Sequence, residues 1–262
     1  MMRAALRYGH MLLCHRALGE ILVQRELKGR YRGTFLGFMW SFVSPLMLMV
    51  IYVGVFSLTM RVPVPHYPAF VLTGLLPWNC FTASTMEGMH AVMANGNLVK
   101  KVHLPAEIFP LVAVISNMAH FLFSLPVLLA VLVYSGLPLT PSMLLLPVLL
   151  VLQFFFAGAF ALLLSSLAVQ FRDLTHIVPN LMMMWFYLTP VVYTLELVPE
   201  RLQPLMRLNP LCGLMQAYRS IFILGESFSP LWACKFLGLG LSLFCAALWL
   251  FAKRRELYPE LC

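Results

Sequence analysis

The stretch Arg25-Glu-Leu-Lys-Gly-Arg-Tyr-Arg-Gly-Thr-Phe-Leu-Gly-Phe-Met-Trp-Ser-Phe-Val-Ser-Pro45 joins two kinds of chain. Its first half carries Arg25, Lys28, Arg30 and Arg32, whereas no Lys, Arg, Asp or Glu occurs from Phe35 to Met60. The hydrocarbon core of a bilayer is about 30 Å thick and a helix rises about 1.5 Å per residue, so roughly 20 apolar residues cross it. The charge-free run exceeds that length, and a basic segment meets a membrane span at its start.

Composition extends the reading to the whole chain. Of 262 residues, 61% are hydrophobic and only 11% are charged, too few to clothe a soluble surface. The fold class expected is an all-α polytopic membrane protein of one domain with six transmembrane helices. The apolar patch from Met11 to Cys14 is too short for a signal-peptide core, so the first span is expected to stay in the protein. The six cysteines are scattered without C-x-x-C spacing, which argues for packing residues over a disulfide framework or zinc site. A net charge of +8 in so apolar a chain points to cytoplasmic loops and anionic lipid headgroups, and no nucleic acid is expected as a partner.

Hydrophobic runs and breaks place the spans at 35–60, 69–94, 107–134, 142–169, 174–195 and 230–252. Before them, residues 10–32 read as a helix on the membrane surface. Arg16, Glu20, Gln24 and Lys28 form its wet side, and Leu18, Ile21 and Leu22 a greasy one. The connection 95–104 carries Lys100 and Lys101. Residues 199–224 are apolar but too often broken to cross. Asn209-Pro210 fits an N-cap followed by proline in the first turn, and Leu211, Leu214, Met215, Tyr218 and Phe222 follow at helical spacing up to Gly225. Two short helices are expected there, in the interface or re-entering it. Thirteen of the 18 Lys and Arg fall on the side of the termini, which places both ends in the cytoplasm by the positive-inside rule.

Few residues suggest chemistry. No G-x-x-x-x-G-K-[ST] occurs to cradle nucleotide phosphates, so ATP hydrolysis would need another chain. Glu87-Gly-Met-His90 resembles half of a carboxylate metal site but has no second copy; a polar residue near the inner headgroups, or a channel wall, fits better. His120, deep in the third span, reads as an interhelical hydrogen bond or as a polar lining residue. Trp40, Trp232 and Trp249 suit interfacial belts. Trp78, Trp185, Phe186 and Tyr187 sit deeper, where they could either pack against lipid or face a passing sugar chain. Arg25, Lys28, Arg30 and Arg32 serve as a topology signal, and their guanidinium and ammonium groups could also grip a lipid phosphate.

Several pieces then occur in a telling order: Val23-Gln-Arg-Glu-Leu-Lys-Gly-Arg-Tyr-Arg-Gly-Thr-Phe-Leu-Gly-Phe-Met-Trp, Leu72-Thr-Gly-Leu-Leu-Pro-Trp, Val99-Lys-Lys-Val-His-Leu-Pro, Phe171-Arg-Asp, Leu188-Thr-Pro-Val-Val-Tyr and Leu208-Asn-Pro-Leu. Together they resemble the membrane subunits of bacterial ATP-binding-cassette exporters of polysaccharide, with the O-antigen branch nearer than the capsule and teichoic-acid branches. The resemblance implies a multi-pass inner-membrane homodimer joined to two ATPase subunits. ATP and Mg2+ would sit on those partners, with no cofactor and no covalent chemistry in this chain. Its cargo would be undecaprenyl-diphosphate-linked polysaccharide. Glu20, Gln24, Asn97, Lys100, Lys101 and His103 would then couple to the ATPase, through the surface helix and a coupling loop at 95–104. Trp78, Trp185, Phe186, Tyr187 and His120 would line a channel, and Leu211, Met215, Tyr218 and Phe222 would form an outward gate. Rival readings are an exporter of another lipid or a drug, an intramembrane glycolipid-modifying enzyme, and an ion-coupled transporter. The last two would need clustered ionisable groups at one depth, and none is apparent in the sequence.

Overall fold

A computed structural model describes residues 16–59, 63–96, 98 and 105–253. All regular structure among these residues is helical. In chain order the helices are α1 (Arg16–Tyr31), α2 (Trp40–Tyr52), α3 (Tyr67–Ala94), α4 (Ile108–Tyr134), α5 (Leu146–Ala168), α6 (Leu174–Tyr187), α7 (Gln203–Leu208), α8 (Pro210–Arg219) and α9 (Pro230–Lys253). A 3-10 turn, Gly37–Met39, leads into α2, and a π-helical segment, Val53–Thr59, prolongs it.

The centre of the bundle is α3, packed against α4, α5 and α8. Its 28 residues extend about 42 Å at 1.5 Å per residue. Small residues let its neighbours close in. A Cβ on Gly88 would lie 2.5 Å from the Cβ of Ala161 on α5, and one on Gly74 would lie 2.7 Å from the carbonyl oxygen of Val191. Pro77 cannot donate a backbone hydrogen bond inside α3, and its own carbonyl is held from outside by Gln153 Nε2 of α5 at 3.0 Å. A second, smaller core joins Val92, Phe109, Leu162, Phe244, Leu248 and Phe251, where α3, α4 and α5 meet the end of α9.

Among the described residues, four segments are long and apolar enough to cross a bilayer by length and composition: Gly37–Ser57, Ile108–Tyr134, Pro141–Ala168 and Pro230–Lys253. Of the six expected spans, the second is a single helix, Tyr67–Ala94, but is more polar than these. The fifth is shorter than its run of apolar residues suggested. Helix α6 has 14 residues, about 21 Å, and stops at Tyr187 instead of continuing to 195. Leu188-Thr189-Pro190 explains the stop, because a residue before proline is driven out of the helical region and proline cannot extend the hydrogen-bond ladder. The fourth span begins with a 3-10 turn at Pro141–Leu145 before α5.

On α1, the half-buried positions are Leu18, Gly19, Leu22, Val23, Glu26, Leu27, Arg30 and Tyr31, and those at Glu20, Ile21, Gln24, Arg25 and Lys28, with Arg32 just after the helix, are exposed. Ile21, expected on the greasy side, is 62% exposed. At 100° per residue its place on that side goes to Val23 and Leu27. Positions 10–15 of the expected surface helix lie outside the described residues.

Candidate functional site

Where α1 lies against the bundle, three helices are joined by one knot of polar side chains. Arg30 Nη2 donates to Glu87 Oε2 of α3 at 2.6 Å, and Arg30 Nη1 donates to Asn117 Oδ1 of α4 at 3.1 Å. The triangle closes through Asn117 Nδ2, which donates to the same Glu87 oxygen at 2.6 Å and to the carbonyl of Ala113 at 2.9 Å. One residue further on, the Tyr31 hydroxyl lies 2.7 Å from Ser41 Oγ and 2.6 Å from His120 Nδ1. Two consecutive residues of α1 thus reach the start of α2, the far half of α3 and the middle of α4.

Beside the knot is a cleft of 520 Å³, lined in part by Arg25, Glu26, Gly29, Glu87, His90 and Phe109. Burial pushes the Glu26 carboxyl above its ordinary value and the neighbouring Glu87 raises it further, against the pull of Arg30. The four basic residues expected to grip a phosphate therefore part company. Arg25 and Lys28 on α1, and Arg32 just after it, remain exposed, whereas Arg30 is turned inward onto Glu87. Glu87 is in turn committed to Arg30, and no group of three metal-binding side chains occurs among the described residues.

A groove of 450 Å³ runs along the flank between α2, α3 and α6. Trp78, Phe186 and Tyr187 line it together with Tyr52, Asn79 and Met183. The rings interlock: Trp78 and Phe186 meet edge to face at 5.5 Å, Phe186 and Tyr187 at 5.3 Å, and Tyr52 lies 5.9 Å from Phe186. A polar recess of 150 Å³ holding Arg30, Asn117, His120 and Ser124 shares Leu48 and Asn79 with this groove. His120 thus lies in the recess and the aromatics along the groove. Trp185 points elsewhere, donating to Asn209 Oδ1 at 3.1 Å and packing on Phe81 and Phe160. Tyr52 and Asn79 were missed by sequence reasoning. Their signal was a polar atom inside an otherwise apolar span, next to Trp78 in the case of Asn79.

The short helices beyond α6 are seated by dry packing. Leu211, Met215 and Tyr218 are wholly buried and Phe222 nearly so, so the residues expected to form a gate also pack α8 and the turn after it into this chain. Tyr218 donates to Gln153 Oε1 at 2.6 Å, completing a link from α8 through α5 to Pro77 of α3. Arg219 donates to the Val191 carbonyl at 2.7 Å and stacks over the Phe70 ring at 3.6 Å. Asn209 caps α8 through Leu211 N and donates to Leu188 O at 3.2 Å and Thr189 Oγ1 at 2.9 Å. Of the residues expected to meet an ATPase, Glu20 and Gln24 are on the exposed face of α1; Asn97, Lys100, Lys101 and His103 lie outside the described residues.

A bundle with bilayer-length apolar helices and an aromatic groove on its flank is a polytopic membrane protein, and comparison with known proteins narrows the class. Residues 19–223 match the ABC-2 type transporter family. An O-antigen export system permease protein, RfbA of Myxococcus xanthus, is 40% identical over 251 residues, covering 94% of this chain and 95% of its own. The Klebsiella pneumoniae protein of the same name is 33% identical over 208 residues, 78% of this chain and 80% of its own. The polysialic acid transport protein KpsM of Escherichia coli is 22% identical over 218 residues, 79% and 81% of the two chains. The chain belongs to the ABC-2 type transporter family, and the resemblance to polysaccharide-export permeases read from its sequence holds along nearly its whole length.

Proposed function

We propose that this chain is the permease subunit of an ATP-driven exporter that moves lipid-linked, O-antigen-type polysaccharide from the cytoplasmic to the outer face of the inner membrane. The observation that carries the reading is the 40% identity over 94% of the chain with an O-antigen export permease. Two copies would pair, with two ATPase subunits docking from the cytoplasm and supplying ATP hydrolysis with Mg2+. The carrier lipid would be undecaprenyl diphosphate, its phosphates met at the membrane surface by the exposed Arg25, Lys28 and Arg32.

In this reading the chain crosses six times with both ends inside. Helix α3 crosses as the buried centre of the bundle. Helix α6 crosses with the help of residues 188–193, whose backbone has partners despite leaving the helix. Leu188 O is held by Asn209, Val191 O by Arg219, and Val192 O by the Tyr67 hydroxyl at 2.7 Å. Irregular backbone survives at membrane depth only when so satisfied. Helix α1 and the loop at 95–104 receive the stroke of the ATPase, and the α7–α8 pair closes the outer end.

A hydroxylated polymer cannot pass through hydrocarbon and needs a protein-lined way across. The flank groove offers flat rings with polar rims, a surface suited to sugars. Facing a second copy, the grooves would enclose a conduit, and Tyr187 and Tyr52 would be the contacts a sugar chain slides along.

Reconstitution tests the reading. Proteoliposomes carrying this chain with its ATPase should expose lipid-linked glycan to an external lectin only when ATP is supplied, and cells lacking the chain should accumulate the glycan inside. An unchanged glycan pool in such cells would sink the reading. Capsule polysaccharide is the second reading, favoured by the more distant likeness to KpsM, and an exchange of lipid-linked substrates in the same assay separates the two.

A further inference from the structure

Helix α1 presents two side chains of opposite charge, four residues apart, on the face it turns to the bundle. Arg30 engages Glu87 of α3 and Asn117 of α4. Glu26, one turn earlier, lines the cleft with Arg25, Glu87 and His90, and lies close enough to Glu87 and Ser116 for both to act on its carboxyl. Two carboxylates therefore flank one guanidinium, one across the joint and one on the same helix. A glutamate four residues before a cation is the favoured order for an ion pair along a helix.

We propose that Arg30 is a positioning residue that exchanges partners, Glu87 on α3 for Glu26 on α1, so that α1 is held to α3 and α4 in one state and released in another. The proposal rests on the export reading above and deepens it by naming the joint through which movement of α1 reaches the flank groove.

Three features support the exchange. First, when α1 moves away, Glu26 offers Arg30 a second carboxylate on the same helix at the favoured i, i+4 spacing. Second, Glu87 is not abandoned on release, because Asn117 Nδ2 still donates to it at 2.6 Å. Third, the pair is only half sealed, with the Arg30 and Glu87 side chains 24% and 39% exposed, and the two carboxylates, Glu26 and Glu87, line the same 520 Å³ cleft. The reach is also selective. Tyr31 touches Ser41 and His120, so letting go of Arg30 loosens the same turn that holds the start of α2, one wall of the groove.

The test uses the complete complex with its ATPase in lipid nanodiscs or proteoliposomes, and reads three quantities: melting temperature, glycan moved per ATP hydrolysed, and the distance between spin labels at Ile21→Cys and Ala94→Cys on a cysteine-free background. Glu26→Gln should melt no lower than the parent, yet move about tenfold less glycan per ATP, the size of a typical coupling between sites. Its label distance should stay fixed between the nucleotide-free and ATP-bound states, whereas the parent's should change.

The double variant Arg30→Glu with Glu87→Arg separates a joint from a brace. The swapped pair can hold but leaves the inner face of α1 with two carboxylates and no cation for Glu26 to receive, so stability should return while transport does not. Recovery of both by the double variant, or parental transport by Glu26→Gln, would overturn the proposal. If the parent complex hydrolyses ATP but moves no glycan, the export reading fails instead. The label distances then still decide the exchange, a change in the parent that Glu26→Gln abolishes supporting it and an equal change in both overturning it.

Discussion

The two ends of the bundle are fastened by opposite means. Helix α1 is held by an ion pair and a few hydrogen bonds at half-exposed side chains, and its outer face stays charged. Helix α8 is sunk among Leu211, Met215, Tyr218 and the rings around them, all wholly buried, with one hydrogen-bonded thread from Tyr218 through Gln153 to Pro77. Polar contacts can be traded for water or for another partner at little net cost. Packed apolar surface cannot be traded in this way without opening a cavity. The first fastening suits an element that must move, the second an element that must stay put relative to its own subunit.

That contrast can be broken most decisively at Tyr218. Tyr218→Ala removes a buried ring and strands Gln153, and should cost about 3–5 kcal/mol of stability, as other large-to-small core changes do. Tyr218→Phe keeps the packing and should cost only about 1–2 kcal/mol. Thermal unfolding of the purified complex reads both, and near-equal losses would mean that the hydrogen bond, not the packing, seats α8.

Gly88→Leu comes next. Its side chain would be built where the Ala161 Cβ already stands 2.5 Å away, so α3 and α5 must separate, at about 1–3 kcal/mol by the usual cost of overpacking. The same unfolding assay checks it.

Tyr187, 56% exposed in the groove, should behave in the opposite way. Tyr187→Ala should shift stability by no more than about 0.5 kcal/mol, as exposed substitutions generally do, while slowing lectin-detected export severalfold. A large loss of stability without loss of export would remove Tyr187 from the conduit.

The smallest effect concerns pH. The Glu26 carboxyl binds its proton more tightly in the folded chain than in the unfolded one. Its contribution is therefore greatest below the ordinary carboxylate value and is lost as pH rises through the raised one. Melting temperature measured across the acidic range should fall slightly more steeply with rising pH in the parent than in Glu26→Gln.

Much of this architecture was legible in the sequence, for definable reasons. Long apolar runs located α4, α5 and α9 to within a few residues, because a membrane helix advertises itself by composition. Asn209-Pro210 announced the start of α8, since capping is local chemistry. Local chemistry could also have shortened α6, because Pro190 and the residue before it were in plain view, yet hydropathy carried the expected span on to 195. The fastenings were illegible. Arg30 and Glu87 are 57 positions apart, and Tyr218 and Gln153 are 65 apart. In each case the sequence announces a polar residue without naming its partner. The aromatic groove was half visible. Trp78, Phe186 and Tyr187 were suspected together, but adjacent Trp185 was grouped with them, because a stretch of neighbouring rings does not say which faces in.

Helix α9 packs chiefly on α5 and lies beyond residue 223, where the family match stops. Among the described helices it is the last to leave the ribosome. By then α3 has been enclosed by α4, α5 and α8, so membrane insertion of α9 adds an outrigger to an assembled hull. The spar is lashed on from one side alone: Phe244, Leu248 and Phe251 tie it to the hull, so a change at those rings should loosen it, whereas its exposed positions, such as Leu231 and Trp249, carry no such lashing.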